Sequence, residues 1–490
     1  MPRKHRFRDQ TAFLRVKFCI IKRLVTIGSE SRTGLPLCYI TDLQQITAQK
    51  GQAMTFQELL DNVAETIPAY RRSIFKAVVI GLLVRNGSGR ISAIFRHFAG
   101  VFTGGNITRK RFYTFLNSGK IKWSAIWHRL AELLASFVAV DGRLLTALDD
   151  TTYGKTGKKI NGCGIHHDHS AKQNASRWVF GHCRVLVGIL LKRHGRWACL
   201  PMGQQNFVSA KKNRQKPEKA DWHKTKNGIA ANLLCFVVRL FNLPVLIICD
   251  SWFGNCRLLQ EMRKALGEEN VNMLSRLRVS CALFTMPEKK EKPGRGRPRK
   301  YGRRLPDVRT LAADMRADAR TEKVFIYGRE RDCTYSELTC MSRAWKCMVK
   351  VVFVYRASGT VFPLVTSDPT LTAPQMIEYY AARWKIESGF KELKHEIGAL
   401  DSQCRNENAV ENHFNLCCLS MTLGWIYALN RSEAPKRLHP DRRSGAFAFA
   451  DIRRAIAAEL GSTPIFDKGC PESVKRAIKY VREALFRPAA

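Results

Sequence analysis

In the stretch YYAARWKIESGFKELKHEIGA, Tyr380, Arg383, Glu387 and Lys394 follow one another at intervals of three, four and seven. On a helix, seven residues make about two turns with a drift of only ~20°. Tyr380, Glu387 and Lys394 then share one face with Arg383 beside them, which fixes one carboxylate next to a basic, aromatic strip. Two other stretches bring carboxylates. LIICDSWFGN places Asp250 where an apolar strand ends, the position from which open α/β sheets hold their ligands. LTALDDTTYG ends a second strand with Asp149 and Asp150. Neighbouring strand residues point to opposite faces, so one of the two faces the site. Hard oxygen donors of this kind hold Mg2+ or Mn2+. Two such ions about 3.5–4 Å apart activate a hydroxyl and stabilise the leaving oxygen in a phosphoryl displacement. Asp149, Asp150, Asp250 and Glu387 are therefore the candidate catalytic and metal-binding residues. Blander readings stand beside this one. They are a solvated helix face with an Arg–Glu pair worth ~0.3–0.5 kcal/mol, an Asp250 that caps the next helix, and an Asx turn at Asp149 and Asp150.

The elements that must position these groups are legible in outline. TAPQMIEYYAARWKIESGFKELKHEI begins with a capping box of Thr372 and Gln375 and has Pro374 in its first turn, so it starts as a helix. Trp384 and Phe390 are spaced to pack it on a sheet. RWVFGHCRVLVGILL (177–191) and RWACLPM read as adjacent strands around the turn RHG at 193–195. An apolar helix, IAANLLCFVVRLF, and a buried strand, LPVLIICD, follow, which gives a mixed α/β sheet. KCMVKVVFVYRA and VFPLVTSD form a returning hairpin just before the capped helix. Residues 1–135 read as a helical DNA-binding or end-binding domain, with a helical dimerisation or packing domain as the alternative. The core occupies 136–274 and 346–430, interrupted by a β-rich insertion with a basic loop at 275–345, and a helical tail fills 431–490.

Composition bounds the partner. Of 490 residues, 82 are Lys or Arg and 41 are Asp or Glu, a formal net charge of +41. That surplus repels itself unless a polyanion neutralises it, and nucleic acid does so with release of counterions. A membrane surface is the rival polyanion. The longest apolar runs, AVVIGLLV and LPVLIIC, are far shorter than the ~20 residues of a membrane helix. No signal-peptide pattern opens the chain. Sixteen Cys without a C-x-x-C pair read as reduced thiols of a cytosolic protein, not a zinc site.

Two further motifs are read both ways. PGRGRPRKYG contains the R-G-R-P core of AT-hooks, so Arg295, Arg297, Arg299 and Lys300 are candidate DNA contacts. Extended Arg-Gly-Arg fits a narrow A·T minor groove, and a flexible basic loop on phosphates is the alternative. His166, His167, Asp168 and His169 could ligate a transition metal, but adjacent residues seldom converge on one ion, and a polar loop explains them.

Taken together, Tyr380, Arg383, Glu387 and Lys394 after DSWFGN and DDTTYGK resemble the DDE transposases of bacterial insertion sequences, in the branch with the signature Y-x2-R-x3-E-x6-K. The resemblance spans roughly 140–430. It implies an α/β fold with an RNase H-like mixed-sheet catalytic core, a β-rich insertion, and helical regions at both ends. It implies a triad of Asp149 or Asp150 with Asp250 and Glu387, holding two Mg2+ or Mn2+ ions. D-T-T favours Asp150 as the first Asp, while D-x-T after an apolar residue fits Asp149. Tyr380, Arg383 and Lys394 would contact the DNA backbone. The partners would be double-stranded DNA, as terminal inverted repeats and target, and a second copy in a synaptic homodimer. The chemistry would be cut-and-paste with possible hairpins, in a bacterial cytoplasm at the nucleoid. An aromatic, Trp345 or Trp252, would stack on a flipped base. No G-x-x-x-x-G-K-[ST] loop is present, so ATP has no role in this reading. The rivals are an RNase H-like nuclease without strand transfer and an architectural DNA-binding protein.

Overall fold

The apolar runs that precede Asp149 and Asp250 lie side by side. In the computed structural model, β1 (Leu144–Gly154) pairs in parallel with β5 (Val245–Cys249), with Leu148 opposite Cys249. Asp149 and Asp250 therefore follow neighbouring positions on adjacent strands. The structure describes residues 53–85, 88–96, 107–168, 173–174, 176–208, 225–287, 299–438 and 447–462. All but Ala53 belong to the unit Met54–Ala490.

Strand β3 (Trp178–Arg193) runs antiparallel on the other side of β1. It turns into β4 (Arg196–Phe207) through His194 and Gly195, both at positive φ (51° and 64°). That is the backbone twist a two-residue hairpin turn requires. The edge of β3 that pairs with β4 also takes the short β2 (Gly164–His167). On the far side of β5 lie β6 (Val271–Arg276), parallel to it, then β11 (Val361–Thr366), β10 (Cys347–Tyr355) and β9 (Arg329–Ser342), each antiparallel to its predecessor. Both β7 (Leu283–Phe284) and β8 (Arg320–Ile326) pair with β9. The described strands thus form one mixed sheet of eleven, and the strands read as an insertion prolong it through nine residue pairs between β9 and β10.

Helices flank it at both ends of the chain. Before β1 stand α1 (Phe56–Ala64), α2 (Ala69–Val84), α3 (Arg109–Leu116) and α4 (Trp123–Leu134). Between strands come α5 (Lys226–Phe241), α6 (Cys256–Leu266) and α7 (Val308–Asp314). After β11 come α8 (Ala373–Lys391), a π-helical turn (Glu392–Ile397), α9 (Glu407–Asn430) and α10 (Phe449–Ser462). This is the expected mixed α/β architecture with helical flanks.

The central helix α9 is buried along most of its length and ties the N-terminal helices to the sheet. Its Asn412 donates to Leu116 O and Ser118 O, at 2.7 and 2.9 Å, and accepts from Trp123 Nε1. On the sheet side, Arg184 of β3 is fully buried. It donates to Tyr153 Oη, Gln204 Oε1 and Glu411 Oε2 and lies 4.4 Å from the Phe414 ring centre. The Glu411 carboxylate and these hydrogen bonds offset the cost of burying the cation, although its Nη2 has no hydrogen-bond partner among the described residues.

Two details differ from expectation. Strand β1 does not end at the Asp pair but runs on to Gly154, because Thr151–Tyr153 continue the ladder with Arg184–His182. Trp384 does not pack on the sheet: it is 52% exposed, whereas Phe390 is buried. The inward position one residue earlier is taken by Arg383, buried at 7% exposure, so Trp384 is rotated by one helical step toward solvent.

Candidate active site

Asp149 and Asp150 point to opposite faces of the sheet, as strand alternation demands. Asp149 faces α8: its Oδ2 accepts from Arg383 Nη1 at 3.1 Å, and its Oδ1 accepts the Asp150 backbone N–H at 2.8 Å. Asp150 faces α5 instead. Its Oδ2 accepts from Lys226 Nζ at 2.8 Å and from the Cys183 thiol at 3.2 Å. Of the two, Asp149 is the one that shares a face and the Arg383 guanidinium with Glu387. Lys226 was not singled out in the sequence, because it sits among many other cations there.

Helix α8 begins as read, with the Thr372 side chain accepting from Gln375 N and Gln375 reaching back to Thr372 N. That registers Arg383 and Glu387 toward β1. Arg383 Nη2 donates to Glu387 Oε1 at 2.8 Å while Nη1 holds Asp149. One guanidinium thus joins two of the candidate carboxylates. Asp250, at the end of β5, uses Oδ1 to accept the backbone N–H groups of Trp252 and Phe253, both at 3.0 Å. Asp250 does not cap the next helix, whose N-cap is Asn255 accepting from Leu258 N; it closes the turn at Trp252 and Phe253, and that turn fixes its carboxylate. Burial, and after the opposing pull of Arg383 the charge of Asp250, push the Asp149 carboxyl up to about 7. Asp149 and Asp250 are therefore close enough to repel.

Tyr380 packs beside this group, its ring 5.6 Å from Phe362 and 5.5 Å from the Arg383 guanidinium. Burial pushes its hydroxyl up to about 12, with the negative charge of Asp250 adding to the rise. Lys394 lies in the π-helical turn, whose wider winding shifts its register from that of a continuous α-helix. Its Nζ donates to Thr152 O on β1 at 3.2 Å, and burial lowers its pKa. The structure thus gathers Asp149, Asp250, Tyr380, Arg383 and Glu387 around the junction of β1, β5 and α8, while Lys394 sits further along β1 at Thr152.

Other candidates fall elsewhere. Trp345 is buried at 4% exposure and cannot stack on a base; Trp252, 45% exposed and next to the Asp250 turn, can. Arg299 and Lys300 are exposed at the border of the described chain, and Arg295, Arg297 and His169 lie outside the described residues. His166 and His167 are on the edge strand β2, His167 against the Trp178 ring. Among the described residues no three His, Cys, Asp or Glu side chains gather as a metal site. Arg383 supplies the positive charge between Asp149 and Glu387. No helix of the described residues is long and apolar enough to cross a membrane.

A family profile described as "DDE superfamily endonuclease" matches residues 62–332, more than half of the chain. The chain belongs to this family. The segment matched to the DDE superfamily endonucleases holds Asp149, Asp150 and Asp250 and stops before α8. Among solved structures, the chain is similar to a piggyBac transposase in a synaptic complex with hairpin DNA. The identity is 10%, the TM-score 0.39, and the match covers 85% of this chain and 76% of that one. It is also similar to the NurA nuclease from Sulfolobus solfataricus, at 12% identity and TM-score 0.21, covering 57% of this chain and 86% of that one. No curated protein matches the chain in sequence.

Proposed function

We propose that this DDE superfamily endonuclease is a DNA transposase that cuts and joins the ends of its own element, with Asp149, Asp250 and Glu387 as its catalytic carboxylates. The observation that carries the reading is the meeting of Asp149 and Glu387 on one Arg383 guanidinium, with Asp250 next to Asp149. The strand order β4-β3-β1-β5-β6 supports an RNase H-like core: three antiparallel strands, then two parallel to the first. The Y-R-E-K spacing supports the insertion-sequence branch.

The donor set suits a divalent cation. It consists of carboxylate oxygens, one of them destabilised as an anion by burial and by a second carboxylate. Asp149, Asp250 and Glu387 would hold Mg2+ or Mn2+, which supplies a more acidic water and positive charge for the phosphate. Tyr380, Arg383 and Lys394 orient the scissile phosphate, with Arg383 exchanging carboxylate contacts for phosphate oxygens. The reaction is cleavage of one strand by water, followed by attack of the freed 3′-hydroxyl on the opposite strand, as a hairpin, or on target DNA. Residues 1–135 and the loop with Arg295, Arg297, Arg299 and Lys300 add backbone contacts. The paired inverted repeats are held by a homodimer at the nucleoid.

The test is metal-dependent cleavage of DNA carrying the element's end, comparing wild type with Glu387→Gln. The reading expects cleavage to vanish while DNA binding persists. Equal cleavage by both proteins removes Glu387 from the mechanism.

A further inference from the structure

The flank of α8 that turns away from the carboxylates borders a cavity of about 180 Å3. Glu378 and Lys385, seven residues apart on one helix face, line its floor. Arg196 and Trp197 enter from the start of β4, Phe325 from the end of β8, and Arg437 from the chain after α9. The carboxylate on the floor is already engaged: Glu378 Oε1 accepts from Lys192 Nζ at 2.6 Å and from Trp197 Nε1 at 3.0 Å. Arg196 and Lys385 are not engaged in this way. Arg196 stacks 4.9 Å from the Trp425 ring centre and 5.2 Å from that of Phe447, and its buried Nε has no hydrogen-bond partner among the described residues. Lys385 forms no ion pair among the described residues. A carboxylate whose charge acts on both is Glu392, raised by burial to about 7.

Two cations with unfilled donors, aromatic walls and a neutralised carboxylate make a receptor for an oxyanion. We propose that this cavity binds a phosphate group of a DNA strand, held by Lys385 and Arg196 with Arg437 at the rim, as an anchoring site separate from the reacting centre. The proposal rests on the reading of the chain as a DNA-acting enzyme. The same chemistry fits free phosphate, so the experiment carries an arm for each source.

Full-length wild type, Lys385→Gln, Lys385→Arg and Lys264→Gln, the last at an exposed site on α6, are titrated with end-bearing duplex DNA over a range of NaCl. Each phosphate contact contributes about 0.9 to the slope of log K against log salt. The expected result is a slope reduced by about 0.9 in Lys385→Gln, restored in Lys385→Arg and unchanged in Lys264→Gln, at equal melting temperatures. Equal losses in Lys385→Gln and Lys264→Gln mean general surface charge and overturn the site. An unchanged slope, with inorganic phosphate raising the melting temperature of wild type but not of Lys385→Gln, overturns DNA as the ligand in favour of a small anion. An unchanged slope with no phosphate effect overturns the cavity as an anion site. Absence of cleavage by wild type would sink the transposase reading and leave this comparison intact.

Discussion

Arg383 is the residue on which the site turns. It holds Asp149 and Glu387 together at 3.1 and 2.8 Å, although it is almost fully buried. Removing one partner of a buried charge cluster typically costs about 3–5 kcal/mol, and here it would leave like charges facing one another. Arg383→Gln should therefore lower the melting temperature in EDTA. Added Mg2+ should raise it by more than in wild type, because a cation can then take over the role of the guanidinium. Scanning fluorimetry with and without metal checks this; an equal metal response in both proteins contradicts it. The residue types of the site were legible in the sequence, and so was the spacing of Arg383 and Glu387. The choice between Asp149 and Asp150 was not, because both fit the motif and strand alternation fixes only that they diverge. The packing of α8 on one face of β1 sets Asp149 rather than Asp150 beside Glu387, and that is a long-range fact.

At the scale of elements, β1 needs β3 to carry its carboxylates at a fixed height. The two strands come close at Gly181, where a Cβ would lie 1.9 Å from Tyr153 O and 2.9 Å from the Gly154 Cα. Only backbone is there to yield. Gly181→Ala should cost about 1–3 kcal/mol as an overpacked position, read as a lower denaturant midpoint. It should also weaken cleavage, since the end of β1 also receives Lys394 at Thr152 O. An unchanged midpoint would show that β1 and β3 can separate freely. The capped start of α8, the hairpin turn at His194–Gly195 and the apolar strands around Asp250 were readable because local chemistry dictates them. The π-helical turn at Glu392–Ile397 was not: Gly398 marks where it ends, but nothing in the residue types of 392–397 announces that the winding widens between Glu387 and Lys394. The continuation of β1 past Asp150 was hidden too, because Thr151–Tyr153 gain their strand character from pairing with β3.

For the whole molecule, stability against pH reflects buried groups of opposite sign. Burial lowers His182 and His413 to about 4, and raises Asp149 and Glu392 to about 7. Between about pH 5 and 6.5 the unfolded chain takes up protons at the two His that the fold refuses, so acidification destabilises. The two carboxyls do the reverse, since the fold is protonated where the unfolded chain is not. The contributions of these four groups nearly cancel across this window in EDTA. Glu392→Gln removes one stabilising uptake, so its stability should fall by about 1.4 kcal/mol per pH unit as pH drops. Urea unfolding at pH 6.5 and 5 measures it, and a flat profile in the variant would contradict the assignment. The net charge of +41 and the match to an endonuclease family agree in pointing the molecule at nucleic acid. The sequence disclosed this scale most fully, because charge and family motifs need no tertiary contact to be read.

The most direct test of the central claim sets Asp149→Asn beside Asp150→Asn in metal-dependent cleavage of end-bearing DNA. With Asp149 on the face of Glu387 and Asp150 engaged with Lys226, Asp149→Asn should lose about 100-fold or more of the cleavage rate, while Asp150→Asn keeps most of it. Cleavage that survives in Asp149→Asn and disappears in Asp150→Asn would contradict the account and move the site to the other face of the sheet.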